Sequence, residues 1–268
     1  MICVRQLSKV YSDWQQGDSV ALDAISFEAK RGQIYGLLGT NGAGKTTALR
    51  ILATVLSPSS GSATIDGCDV VDEPALVRTK IGFVSSNTAI YDRMTAWELV
   101  TYFGRLHGLD RELLRERMET LFTRLEMQDF RNVLGAKMSS GMKQKASIAR
   151  ALVHDPPVLI FDEATVGLDV LVGRSLLDTV SALREHGKCI IFSTHIMREA
   201  ERLCDQIAIL HRGRFLAEGS LPELADQFGD SDLEELFFSL IRQDRSDALQ
   251  ASVAPRRRRS TTAVDGLA

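Results

Sequence analysis

This 268-residue chain has no long apolar run. A membrane-spanning helix needs about 20 consecutive apolar residues. The longest runs, such as residues 158–161 and 189–192, end far sooner, so the chain is not expected to cross a bilayer. No basic segment leading into an apolar core opens the sequence, and no secretory signal is expected. The four cysteines, Cys3, Cys68, Cys189 and Cys204, are scattered without a Cys-x-x-Cys pair. Free thiols in a reducing compartment are therefore expected, rather than a disulfide frame or zinc site. Excess charge is lacking too: with 25% charged residues and a net charge of −3, there is no basic field to capture nucleic acid. Internal repeats and sustained heptads are also absent.

What is present begins at residue 33. The apolar stretch 33–38 leads into Gly39, Thr40, Asn41, Gly42, Ala43, Gly44, Lys45, Thr46 and Thr47. A strand, a glycine-rich loop and a helix start carrying Lys and Thr form the P-loop arrangement. Glycines let successive backbone N–H groups converge on a polyanion, and the helix N-terminus adds positive partial charge. Lys45 can reach β- and γ-phosphate oxygens, and the Thr46 hydroxyl can ligate Mg²⁺. A nucleoside triphosphate is the expected ligand, but kinases, GTPases and motor ATPases all share this loop.

The pattern around the loop predicts an α/β fold. Strands are expected at 2–7, 21–28 and 33–38, and a helix carries Leu49, Leu52, Ala53 and Leu56 at helical spacing. Residues 58–61 stop that helix, and strands 63–66 and 81–85 follow. From about 95 to 153 the sequence reads as helical throughout, an insert within the α/β domain. Strands (158–161, 188–193, 206–210, 214–217) then alternate with helices (170–185, 196–204), which implies a mainly parallel sheet covered on both faces. Residues 233–241 form a short amphipathic helix. The tail from 245 to 268, with Arg256 to Arg259, has too little apolar content to pack and is expected to be disordered.

Four downstream features narrow the chemistry. Residues 158–161 lead into Asp162 and Glu163, an apolar strand ending in two carboxylates. Asp162 can hold Mg²⁺. Glu163, expected on the opposite side of the strand, can poise a water for attack, a role typically worth about 10²–10⁴-fold. Ser139 and Gly141 precede a helix and form a second phosphate-seeking surface. With one nucleotide pocket apparent in the chain, that surface would serve a neighbouring copy. Gly167, Leu168 and Asp169 make a turn and helix cap. His195 ends the strand after Ser193 and Thr194, at the edge where open α/β sheets bind ligands.

The order and spacing of these elements resemble the ATP-binding cassette (ABC) ATPases over roughly residues 2–240. The resemblance implies a P-loop NTPase core with a β-rich N-terminal subdomain and an all-helical insert. It places an ATPase domain at 1–244 with its helical subdomain at about 87–155. It makes residues 138–142 the signature loop over the partner's ATP, residues 167–169 a dimer-contact loop and His195 a switch histidine. Tyr11 becomes the ring that stacks on adenine, with a surface strand aromatic as the alternative. Residues 91–98, 141–145 and 162–169 are most similar to ATP-binding subunits of NatA-type sodium exporters.

Such subunits use ATP and Mg²⁺, pair as homodimers or pseudo-dimers, and sit peripherally on the cytoplasmic membrane face beside an integral-membrane permease. No nucleic acid partner is implied. The chain departs from the pattern after strand 81–85, where Ser86 or Asn87 stands in place of a Mg²⁺-contacting glutamine. Met138, Ser140 and Met142 vary the signature, and Ala164 replaces the proline that usually follows Glu163. Drug, lipid or polysaccharide cargo stays open, as does a soluble cassette ATPase outside transport. Arg256 to Arg259 could contact anionic lipid or simply be solvated.

Overall fold

The computed structural model describes residues 1–14, 17–85, 90–230 and 232–253. Ser86 and Asn87, the candidates for the absent glutamine, lie outside the described residues, as do 254–268 of the tail.

Two sheets form the frame. The first is antiparallel, in order β2-β1-β4-β5, from β1 (Ile2–Asp13), β2 (Gly17–Ala29), β4 (Ser60–Ile65) and β5 (Cys68–Asp69). The second runs β10-β9-β3-β8-β7-β6, from β3 (Ile34–Leu38), β6 (Ile81–Ser85), β7 (Val158–Asp162), β8 (Cys189–Thr194), β9 (Gln206–His211) and β10 (Arg214–Gly219). All its neighbouring pairs are parallel except β10 with β9. Every residue of β3, β7 and β8 is buried. That is why these strands read as continuous apolar runs: both faces are covered, one by helices and the other by α1 with the antiparallel sheet.

The helices are α1 (Lys45–Leu52), α2 (Pro74–Lys80), α3 (Ala96–Leu106), α4 (Arg111–Arg124), α5 (Ser140–Leu152), α6 (Val170–Glu185), α7 (Met197–Leu203), α8 (Leu221–Phe228) and α9 (Leu233–Val253). Their starts follow the chain's short polar residues. Thr95 and Glu98 close a capping box on α3, Ser220 and Glu223 another on α8, and Asp110, Ser139 and Asp169 cap α4, α5 and α6. Each such cap is worth about 1 kcal/mol.

Three apolar clusters hold the layers together. One joins the helical insert and α6 to the sheet through Phe122, Phe161 and Phe192. A second packs the antiparallel sheet and α1 on the other face. The third seats α8 and α9 against β9 through Leu224, Leu236 and Phe237. Fully burying one such side chain contributes about 1.5–3 kcal/mol.

Several elements differ from the sequence expectation. Helix α1 stops at Leu52, short of Leu56, because Thr54 turns left-handed at φ 60. Strand β1 continues past residue 7 to Asp13, beyond register shifts that break its alternation. The last helix runs to Val253, twelve residues past the expected end at 241. Polar residues such as Gln243 and Asp244 extend it as a helix without adding to the core.

Candidate functional site

The P-loop lies between the end of β3 and the start of α1. The N-cap of α1 is Gly44, at φ 114 and with no side-chain cap, so the first N–H groups of α1 are left for an external acceptor. A Cβ on Gly44 would come within 2.4 Å of the Ala21 carbonyl. Conformation and space therefore both demand glycine. The loop encloses a cavity of about 220 Å³ whose walls include Ala21, Thr40, Asn41, Gly42, Lys45, Thr47 and Glu163.

Lys45 is 3% exposed. Its Nζ donates to the Gly39 carbonyl at 2.7 Å and the Thr40 carbonyl at 3.1 Å, and sits 3.1 Å from Glu163 Oε1. The Thr46 hydroxyl donates to Asp162 Oδ1 at 3.2 Å, and the Ser193 hydroxyl donates to that same oxygen at 2.8 Å. Two adjacent strand ends, β7 and β8 in parallel register with Asp162 opposite Ser193, thus present one carboxylate to the helix that follows the loop. Thr46 and Asp162 are hard oxygen donors in contact, a set suited to Mg²⁺.

Glu163 does not follow the strand alternation expected of it. Strand β7 ends at Asp162, and Glu163 takes a left-handed conformation at φ 48. Its N–H donates to the Ser193 hydroxyl at 3.1 Å. The turn swings its carboxylate toward Lys45 instead of leaving it on the far face. Left-handed backbone is strained for a residue with a Cβ, at about 1–3 kcal/mol, and such residues cluster at working sites. His195 Nδ1 lies 3.5 Å from Glu163 Oε1. The turn carrying His195 is fixed by Thr194, whose hydroxyl donates to Glu199 Oε2 at 2.6 Å and accepts from the Ile196 N–H at 3.0 Å.

Lys45, Thr46, Asp162, Glu163 and His195 therefore meet at the C-terminal edge of the parallel sheet. Together they can bind a triphosphate, accept a proton from water beside it and place an imidazole at its far end. Ser193, Thr194 and Ala21 had no role assigned from sequence. Hydroxyls at a strand end directly before a histidine were the available signal for the first two.

The remaining residues gather elsewhere. Ser139 caps α5, accepting from the Met142 N–H at 3.3 Å. Asp169 caps α6, accepting from the N–H groups of Leu171 and Val172 at 3.0 Å. A Cβ on Gly141 would stand 3.0 Å from Val172 Cγ2, so the two helix starts lie side by side. Val170 and Leu171 beside them are 86% and 80% exposed. Among the described residues, the walls of the P-loop cavity include none of Ser139, Gly141, Asp169 or Tyr11. Tyr11 is exposed on β1, opposite Ser19 of β2, with Lys9 Nζ 5.4 Å from its ring centre.

Residues 22–166 match the family described as ABC transporter. The chain is 41% identical over 242 residues to the ABC transporter ATP-binding protein NatA of Bacillus subtilis, covering 90% of this chain and 98% of the relative. It is 36% identical to the doxorubicin resistance ATP-binding protein DrrA of Mycobacterium tuberculosis, over 94% of this chain and 74% of that protein. Among solved structures, an ATP-binding subunit of an ABC transporter superposes with a TM-score of 0.82 at 31% identity, over 90% of this chain and 99% of the other. A dimeric post-hydrolysis ATP-binding cassette bound to ADP and Pi gives 0.74 at 27% identity, over 82% and 98%.

Proposed function

Because this chain belongs to the family of ABC transporter ATPases, we propose that it powers an exporter of sodium ions through a separate membrane-spanning partner. The meeting of Lys45, Thr46, Asp162, Glu163 and His195 at one sheet edge carries the catalytic part of this reading. Lys45 and the amides of residues 39–47 hold the β- and γ-phosphates. Thr46 and Asp162 hold Mg²⁺, which supplies positive charge to the phosphate oxygens when bound. Glu163 takes a proton from the attacking water as its oxygen bonds the γ-phosphorus and the bond to the β–γ bridging oxygen breaks. His195 hydrogen-bonds a γ-phosphate oxygen.

The separation of Ser139, Gly141 and Asp169 from the P-loop cavity supports their service to a second copy. Exposed Val170 and Leu171 beside them give that copy apolar surface to cover. In this arrangement two chains clasp two ATP molecules, and hydrolysis releases the clasp. The domain boundaries of this reading keep residues 1–244 as the ATPase domain, with the helical insert turned to the permease. The assembly is placed at the cytoplasmic membrane face; among the described residues no helix is long and apolar enough to cross a membrane.

Glu163→Gln tests the chemistry. It is expected to bind ATP, lose turnover by about 10²–10⁴-fold and accumulate as an ATP-bound dimer in size-exclusion chromatography. Turnover at the parent rate removes Glu163 from the role of base. Sodium as cargo rests on the likeness to NatA. Flux of ²²Na⁺ through vesicles holding the chain and its permease checks it, and ATP-driven flux of a drug without sodium overturns that assignment alone.

A further inference from the structure

Helices α3 and α4 form a hairpin whose facing stripes line an open recess of about 380 Å³, apart from the P-loop. On α4 the stripe runs Arg111, Leu114, Arg115 and Met118, the i, i+3, i+4, i+7 spacing of one helix face. Trp97 and Arg105 face it from α3. Leu114 and Met118 are buried, Trp97 is half-buried, and the three arginines are exposed at the mouth. The recess thus combines apolar walls from Leu114, Met118 and Trp97 with the Thr101 hydroxyl, and is cationic at its opening. No carboxylate lines it, and among the described residues none pairs with Arg105, Arg111 or Arg115.

Some of the chain's other arginines are neutralised in place. Arg131, Arg184, Arg202 and Arg214 each have a carboxylate partner. Arg111 and Arg115 stand one helical turn apart, a like-charge spacing that disfavours the isolated helix. Three guanidinium groups without carboxylate partners line one recess, and guanidinium favours planar or tetrahedral oxyanions. The volume falls within the range of small-molecule sites, which combine apolar walls with few polar groups.

We propose that this hairpin cavity binds a small amphiphilic anion, a carboxylate or phosphate carried on an apolar body. The oxyanion rests among Arg105, Arg111 and Arg115, and the body lies against Leu114, Met118 and the Trp97 ring. The ligand enters as a dissolved single molecule, since the recess is open to solvent and its volume of about 380 Å³ suits one small molecule.

The indole of Trp97 reports occupancy. The chain has two tryptophans, and Trp14→Phe silences the fully exposed one. Full-length chain in that background is titrated with dodecyl phosphate below its micelle concentration, dodecyl maltoside, inorganic phosphate, and phosphatidylcholine vesicles containing phosphatidate. Saturable change in Trp97 emission is expected with dodecyl phosphate, at least tenfold tighter than with either the neutral amphiphile or the bare ion. Arg111→Gln with Arg115→Gln should weaken it at least tenfold while leaving ATP binding intact, which also shows that the variant is folded. Equal affinity for dodecyl maltoside, equal affinity for inorganic phosphate, indifference to the double substitution, or binding to vesicles alone would each overturn the proposal. A failed ATPase assignment would not affect this readout.

Discussion

Gly44 meets two constraints that no other residue type satisfies together. Its φ of 114 lies outside the conformations open to L side chains, and the Ala21 carbonyl fills the space where a Cβ would stand. Gly44→Ala is expected to destabilise the fold by about 1–3 kcal/mol and to weaken ATP binding at least tenfold. Urea unfolding and nucleotide titration check the two effects. This residue was legible in the sequence, as were Lys45 and Asp162, because the loop and the strand-end carboxylate each have a local signature. Glu163 was legible in identity but not in direction. Strand alternation put it on the opposite side of the strand from Asp162, and a left-handed turn against Ser193 sets its actual direction. Nothing in its neighbours, Ala164 included, announces a positive φ.

At the scale of elements, the helical insert is tied to the sheet by a pair of stacked imidazoles. His107 caps the end of α3, His154 follows α5, and their rings lie parallel at 3.6 Å. His154 Nε2 is 3.0 Å from the Ile81 carbonyl at the start of β6. Burial, then the His107 ring, pushes His154 from 6.5 down to about 4, with Arg117 and Lys188 acting the same way. Arg150 also lines the neighbouring cavity, and burial lowers it too. A depressed pKa means the folded state prefers the neutral ring. Stability from this pair is therefore fully present above pH 6.5 and lost as the pH falls toward 4. Denaturant unfolding between pH 7 and 4 should show that loss, and His154→Gln should make it shallower. No single-residue signal in the sequence foretells this stack, because the two histidines are 47 residues apart. The short elements β5 and α2 and the helix α8 were also missed. Each depends on its neighbours more than on its own periodicity, although the Ser220 and Glu223 capping box was there to be read.

For the whole molecule, the fold was legible because its central strands are continuous apolar runs separated by helices. The arrangement of the site was less so: one chain holds two clusters that do not share a cavity. If Ser139 serves the opposite copy, the position of paired substitutions decides activity. Lys45→Ala in one protomer with Ser139→Arg in its partner strikes a single composite pocket, leaving about half the activity if the sites are independent. Both substitutions in the same protomer strike both pockets, and turnover should fall to background. Differently tagged mixed dimers, purified and assayed for phosphate release, distinguish these outcomes. The reverse order, with background turnover for the split pair and about half for the doubly substituted protomer, would return Ser139 to its own chain.

The contact between Lys45 and Glu163 has an implication for timing. Cation and carboxylate occupy one another at 3.1 Å, like a bolt resting in its keeper. Under the proposed roles, an arriving γ-phosphate draws the lysine away, and only then is the carboxylate at liberty to deprotonate water. Seating the nucleotide and arming the base are thus one event, because the same lysine takes part in both.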